Sequence, residues 1–120
     1  MAARALVDSG FLAALAVERD QFHAWARATA VGLPGPWLTC EACVSEAAHL
    51  IGEELGPRGV QELYRLLETG AIESRHLLPE ELRRVQAETA RYHARLVDFA
   101  DACLIVLSDA HPHLPLATVD

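Results

Sequence analysis

The chain has 120 residues, of which 52% are hydrophobic and 22% charged, and its formal net charge is −7. That length supports one domain with a real core, and that composition excludes a disordered chain. Its ten cationic side chains are all arginine, which excludes a P-loop or a Schiff-base lysine, and the acidic balance gives no long-range pull on nucleic acid.

No apolar run reaches the roughly 18 residues that a membrane span needs. Met1-Ala2-Ala3-Arg4 leads straight into an apolar segment, so no signal peptide is expected and the cytoplasm is the expected compartment. Ala5, Leu6 and Val7 predict a short buried strand, stopped by Asp8, Ser9 and Gly10. A helix is predicted over 10–18, with Leu12, Leu15 and Ala16 on its apolar stripe. Asp8 therefore stands where a strand hands over to a helix. A carboxylate there either caps the helix or points into the crevice outside the carboxyl ends of an open α/β sheet.

Asp20 is the expected cap of a second helix, in which Phe22, Trp25, Ala26 and Thr29 recur at helical spacing. His23, beside that stripe, reads as a packed or partly exposed histidine. Gly32-Leu33-Pro34-Gly35-Pro36 makes a turn before a second strand at Trp37-Leu38-Thr39. A third helix spans 41–55 and ends at Gly56-Pro57. Its middle is apolar (Val44, Ala47, Ala48, Leu50, Ile51), which makes Glu46 the odd residue. A carboxylate in such surroundings costs desolvation unless something meets it, and His49, one turn on, is a candidate partner.

Pro57 and Gly70 frame a fourth helix with Val60, Leu63, Tyr64 and Leu67 as its buried face. A third strand is expected over 71–78. Pro79 opens a fifth helix carrying Leu82, Val85, Thr89, Tyr92 and Leu96, while Arg84, Arg91 and Arg95 line another face. That arginine stripe is either a solvated face or a rail for phosphates. Asp98 and Asp101 share the first turn of a sixth helix, where the dipole favours both. Asp101 stands out because Ala100, Ala102 and Cys103 around it read as buried. His111-Pro112-His113 is a turn, and Leu114 to Val119 a final strand closed by Asp120.

The three cysteines give no disulfide framework. Cys40-Glu41-Ala42-Cys43 has the spacing of a redox or zinc half-site but lacks a second ligand pair, so both thiols read as small buried residues.

The order β-α-α-β-α-α-β-α-α-β predicts the α/β class: a three-layer α/β/α sandwich with a mainly parallel sheet of four to five strands, in one domain over 1–120. Asp8 and Asp120 fall at strand carboxyl ends, and Glu46 and Asp101 on helices that pack near them. Converged and unpaired, such carboxylates repel one another, which implies bound cations. Oxygen-only ligands favour Mg²⁺ or Mn²⁺, and such a site activates water against a phosphodiester. Periodicity alone does not establish the convergence.

Certain stretches carry a resemblance: Leu6-Val7-Asp8-Ser9-Gly10-Phe11-Leu12, Glu18-Arg19-Asp20 before His23, and Leu38-Thr39-Cys40-Glu41-Ala42 running to Ser45-Glu46-Ala47-Ala48. Asp98-Phe99-Ala100-Asp101-Ala102 and Ala117-Thr118-Val119-Asp120 follow. In that order the chain resembles the PIN-domain family, specifically the VapC-type toxins of bacterial toxin–antitoxin pairs, over essentially its whole length. The resemblance implies a PIN-like fold and a metal-dependent endoribonuclease acting on RNA. It implies Mg²⁺ or Mn²⁺ held by the acids matching Asp8, Glu46, Asp101 and Asp120, which are also the catalytic set, with Asp98 as a further metal residue. It also implies a cognate antitoxin protein and a homodimer. PIN chains continue past the last acid with an Asp-Phe pair and an edge strand, so that strand is expected to be missing from 1–120.

Two other readings stand beside this one. A phosphoacceptor signalling domain also binds Mg²⁺ at strand-end Asp residues, but it relies on a lysine that this chain lacks. A catalytically incomplete PIN-like module would act through a protein partner.

Overall fold

A computed structural model describes residues 2–91 and 97–119. The first half runs β1 (Ala5–Val7), α1 (Ser9–Ala16), α2 (His23–Val31), β2 (Trp37–Cys40) and α3 (Glu41–Thr69). The second runs β3 (Ile72–Arg75), α4 (Leu82–Arg91), α5 (Phe99–Ala110) and β4 (Leu116–Ala117). The strands form one sheet of order β3-β2-β1-β4, every pair parallel.

β1 is central, and its three residues are fully buried. That is why it reads as an unbroken apolar run rather than an alternating one, as parallel strands covered on both faces do. Alternation along the pleat sends Leu6 and Val7 into different cores. Leu6 joins Leu38, Cys40, Val85, Ala102 and Val106 under α4 and α5. Val7 joins Ile72, Ala117, Phe11, Ala26 and Ile51 under α1, α2 and α3. Helices on both faces of a parallel sheet make the expected three-layer sandwich.

The expected third and fourth helices are both present and abut at Gly56-Pro57, and together they carry the label α3. Gly56, at φ 69° and ψ −165°, makes the kink between them. Only glycine takes that conformation without a Cβ clash, and proline at the next position suits the first turn of a new arm, so no loop intervenes.

Other expectations are corrected at element ends and on faces. α1 begins at Ser9 and stops at Ala16, with Phe11 to Ala14 buried and Ala16 exposed. α2 starts at His23, and Asp20 instead accepts a hydrogen bond from the Phe22 N–H (2.8 Å) in the turn before it. Ala26 is that helix's buried residue, while Phe22 and Trp25 are exposed. Tyr64 and Leu82 are likewise exposed rather than core. β3 and β4 are shorter than expected. Tyr92, Arg95, Leu96 and Asp120 lie outside the described residues.

Candidate active site

Because the sheet is wholly parallel, all four carboxyl ends fall on one rim. The chain steps from β1 through β2 to β3 in one direction, and β4 then joins the other side of β1. Between β1 and β4 the strand order reverses, and such a switch point opens a crevice at the carboxyl rim. Asp8 follows β1 at that place.

Asp8 is nearly buried and uses both carboxylate oxygens. Oδ1 accepts from the Phe11 N–H at 2.7 Å, capping α1 with extended backbone at the cap residue. Oδ2 accepts from the Thr118 hydroxyl, just beyond β4. The cap expected from the sequence is thus real, and it leaves the second oxygen turned across the switch point. Gly10 permits this closeness: a Cβ there would come within 2.7 Å of Val119 Cγ2.

Glu46 is half-buried on the first arm of α3, and its Oε1 accepts from the Ser9 hydroxyl at 2.7 Å. The desolvation of this mid-helix acid is therefore offset by a hydroxyl at the start of α1. His49 is not the partner. It faces Glu53 (Nε2–Oε1 3.6 Å), and both side chains are largely exposed. Ser9 so joins two predicted site residues, following one in sequence and binding the other in space.

Asp98 caps α5, accepting from the Asp101 N–H at 2.9 Å, and Asp101 is exposed on that helix's first turn. An open cleft of about 830 Å³ lies between the starts of α3 and α5 and the end of β3, with Glu46 and Asp98 in its walls. Asp8 and Asp101 stand outside those walls. The structure therefore shows two separate pairings among the four described acids: Glu46 is bound by Ser9, the residue after Asp8, and Asp98 by the Asp101 N–H, while Glu46 and Asp98 share the wall of one cleft. Among the described residues no three His, Cys, Asp or Glu side chains stand close enough together to hold a metal ion. The donor chemistry, carboxylate oxygen throughout, fits a hard divalent cation such as Mg²⁺ or Mn²⁺. Asp120 lies outside the described residues.

The cysteines are free and buried, as small core residues should be. Cys40 is the residue before α3, and the neighbouring Cys43 thiol holds it below the ordinary thiol range. The same pairing, with burial, holds Cys43 far above that range, and its thiol donates to the Ala100 carbonyl at 3.9 Å. Burial pushes Cys103 up to about 11, so it stays a neutral thiol at physiological pH. Two arginines of the stripe pair with acids three residues back along the chain, Arg84 with Glu81 and Arg91 with Glu88, each at 3.4 Å. The exposed Arg84–Glu81 pair contributes little to stability.

Sequence reasoning missed Ser9 and Thr118. Ser9 adjoins Asp8, but a Ser at a helix start is ordinary; the Thr118 contact spans 110 positions and is visible only once β1 and β4 are paired.

A parallel three-layer α/β domain with a capping carboxylate, Asp8, at the strand switch point defines the class. The family model for the PIN domain matches residues 5–120, and the chain belongs to the PIN-domain family. Among solved structures the fold is similar to that of VapC20 from Mycobacterium tuberculosis, a sarcin-ricin loop cleaving toxin. The TM-score is 0.87 at 18% identity, over 96% of this chain and 88% of that one. No curated protein matches the sequence.

Proposed function

We propose that the protein is a metal-dependent endoribonuclease, the toxin member of a VapC-type toxin–antitoxin pair. The observation that carries this reading is the placement of Asp8. It is held by Phe11 N–H and Thr118 at the switch point and joined through Ser9 to Glu46. Family membership and the likeness to VapC20 support RNA as the substrate and a small antitoxin as the partner. The paired homodimer and the cytoplasmic setting belong to the same reading. Among the described residues no helix is long and apolar enough to cross a membrane.

In this reading Asp8 and Glu46 hold the divalent ion, with Asp101, Asp98 and Asp120 completing or orienting its surroundings. The ion supplies positive charge against the phosphodiester and makes a nearby water more acidic. The chain's own part is placement. The cap bond fixes Asp8 relative to α1, and Thr118 fixes its other oxygen relative to β4. Groups that orient a ligating carboxylate from outside typically change metal affinity about 10- to 100-fold when removed. Thr118→Val is therefore expected to weaken Mn²⁺ binding by about that factor, with Thr118→Ser restoring it, in a calorimetric titration. Equal affinity in all three proteins would remove Thr118 from the site.

The activity itself is tested with end-labelled structured RNA. Cleavage is expected in Mg²⁺ or Mn²⁺, lost in EDTA and regained when Mn²⁺ is added back. The absence of a three-acid cluster among the described residues favours one other reading, a PIN-like module that binds a protein partner without catalysis. RNA left intact under every metal condition would select it.

A further inference from the structure

His111 and His113 stand at the far end of α5 from the candidate site. That helix has 12 residues, so about 18 Å separates its last turn from the cap at Asp98. His111 is the C-cap residue and is half-buried; His113 is exposed in the turn that leads to β4. Their ring centres lie 6.3 Å apart, with the planes tilted by 46°. Among the described residues this is the one ring pair made of two imidazoles.

His111 Nδ1 lies 3.0 Å from the Leu107 carbonyl oxygen. A carbonyl only accepts, so Nδ1 carries the proton and donates it, and the lone pair is left on Nε2. Metal-ligating histidines are oriented in the same way, the other ring N–H given to a carbonyl or carboxylate. A zinc–nitrogen bond is about 2.0–2.1 Å, which puts the centres of two imidazoles on one ion roughly 5–6.5 Å apart. The pair stands within that span. Its turn is braced, because the Leu114 N–H donates to the His111 carbonyl at 3.0 Å. The surroundings also favour a cation: the last carbonyls of α5 carry partial negative charge, and Asp109 is exposed in its last turn. A cleft of about 310 Å³ beside His111 has Glu80 and Glu81 in its walls against a single arginine, Arg75.

We propose that His111 and His113 form a two-nitrogen site for a late first-row divalent cation, of the group Zn²⁺, Ni²⁺ and Cu²⁺. Among the described residues no third His, Cys, Asp or Glu completes the set, so water fills the remaining positions. Imidazole suits those ions, whereas the oxygen donors of the rim suit Mg²⁺ or Mn²⁺. The two ends of α5 therefore take different metals, and this site stands apart from the nuclease reading. A bound ion ties the end of α5 to the turn before β4.

The test is a calorimetric Zn²⁺ titration in excess Mg²⁺, which competes for oxygen donors and not for imidazole. Imidazole signals in NMR identify the ligands, and thermal melts check that each variant is folded. One ion per chain is expected, with the signals of His111 and His113 moving together while those of His23 and His49 stay fixed. Loss of a group that only orients a ligand costs about 10- to 100-fold, so His113→Gln and His111→Gln should each weaken binding at least about tenfold. His76→Gln, in the wall of the adjoining cleft, should leave the affinity unchanged. A folded His113→Gln that binds Zn²⁺ as tightly as wild type overturns the site, as does wild type with no saturable uptake. Loss of binding in His76→Gln would place the ion in the cleft and overturn the pair.

Discussion

Asp8→Asn is expected to abolish metal-dependent RNA cleavage while leaving the fold intact. Asparagine caps helices about as well as aspartate, and its side-chain oxygen can still accept from the Phe11 N–H, which lies 2.7 Å from Asp8 Oδ1. What the substitution removes is the negative charge at the switch point. The oxygen that accepts from Thr118 becomes an amide nitrogen or loses its charge, and in either orientation the site is a poorer cation ligand. Even groups that only orient metal ligands cost about 10- to 100-fold when lost, so removal of a ligand should cost at least about a hundredfold in rate. Cleavage progress curves with matched melting temperatures check this. A drop in activity accompanied by an equal loss of folded protein would instead assign Asp8 a capping role alone.

The second large effect is on stability. Phe11→Ala is expected to destabilise the domain by about 3–5 kcal/mol, a large part of a typical total of about 5–15. Phe11 is fully buried and packs edge-on against Trp25 and Trp37, with centroids at 5.9 and 5.5 Å. Its ring joins α1 to α2 and β2, so its loss opens a cavity where three elements meet. The melting temperature should fall by about 10–20 °C. Trp25 and Trp37 are the only two tryptophans, so intrinsic fluorescence reports the same site. A fall of only a degree or two would mean that α2 does not pack on α1 as described.

The contrast between Asp8 and its supports shows what a sequence carries. β1 was legible because a strand covered on both faces is apolar at every position, and Asp8 because a charge ends that run. The rim acids stood out by residue type and place. Their supports did not: Ser9 and Thr118 are ordinary helix-start and strand-end residues until pairing brings β4 beside β1. Glu46 and His49 looked like partners by spacing, yet Glu46 turns to Ser9 and His49 to Glu53. Helical spacing also over-read burial at Trp25 and Tyr64, because periodicity locates a face but not what covers it. At Gly56-Pro57 the sequence signals a stop, and there the backbone leaves the helical conformation at Gly56 before the second helix begins.

The central claim, that these carboxylates hold a divalent cation at the rim, is tested most directly by an equilibrium Mn²⁺ titration followed by electron paramagnetic resonance. Saturable binding in the wild type, strongly weakened in both Asp8→Asn and Glu46→Gln, is the predicted result. Wild-type protein that takes up Mn²⁺ no better than either variant would contradict it.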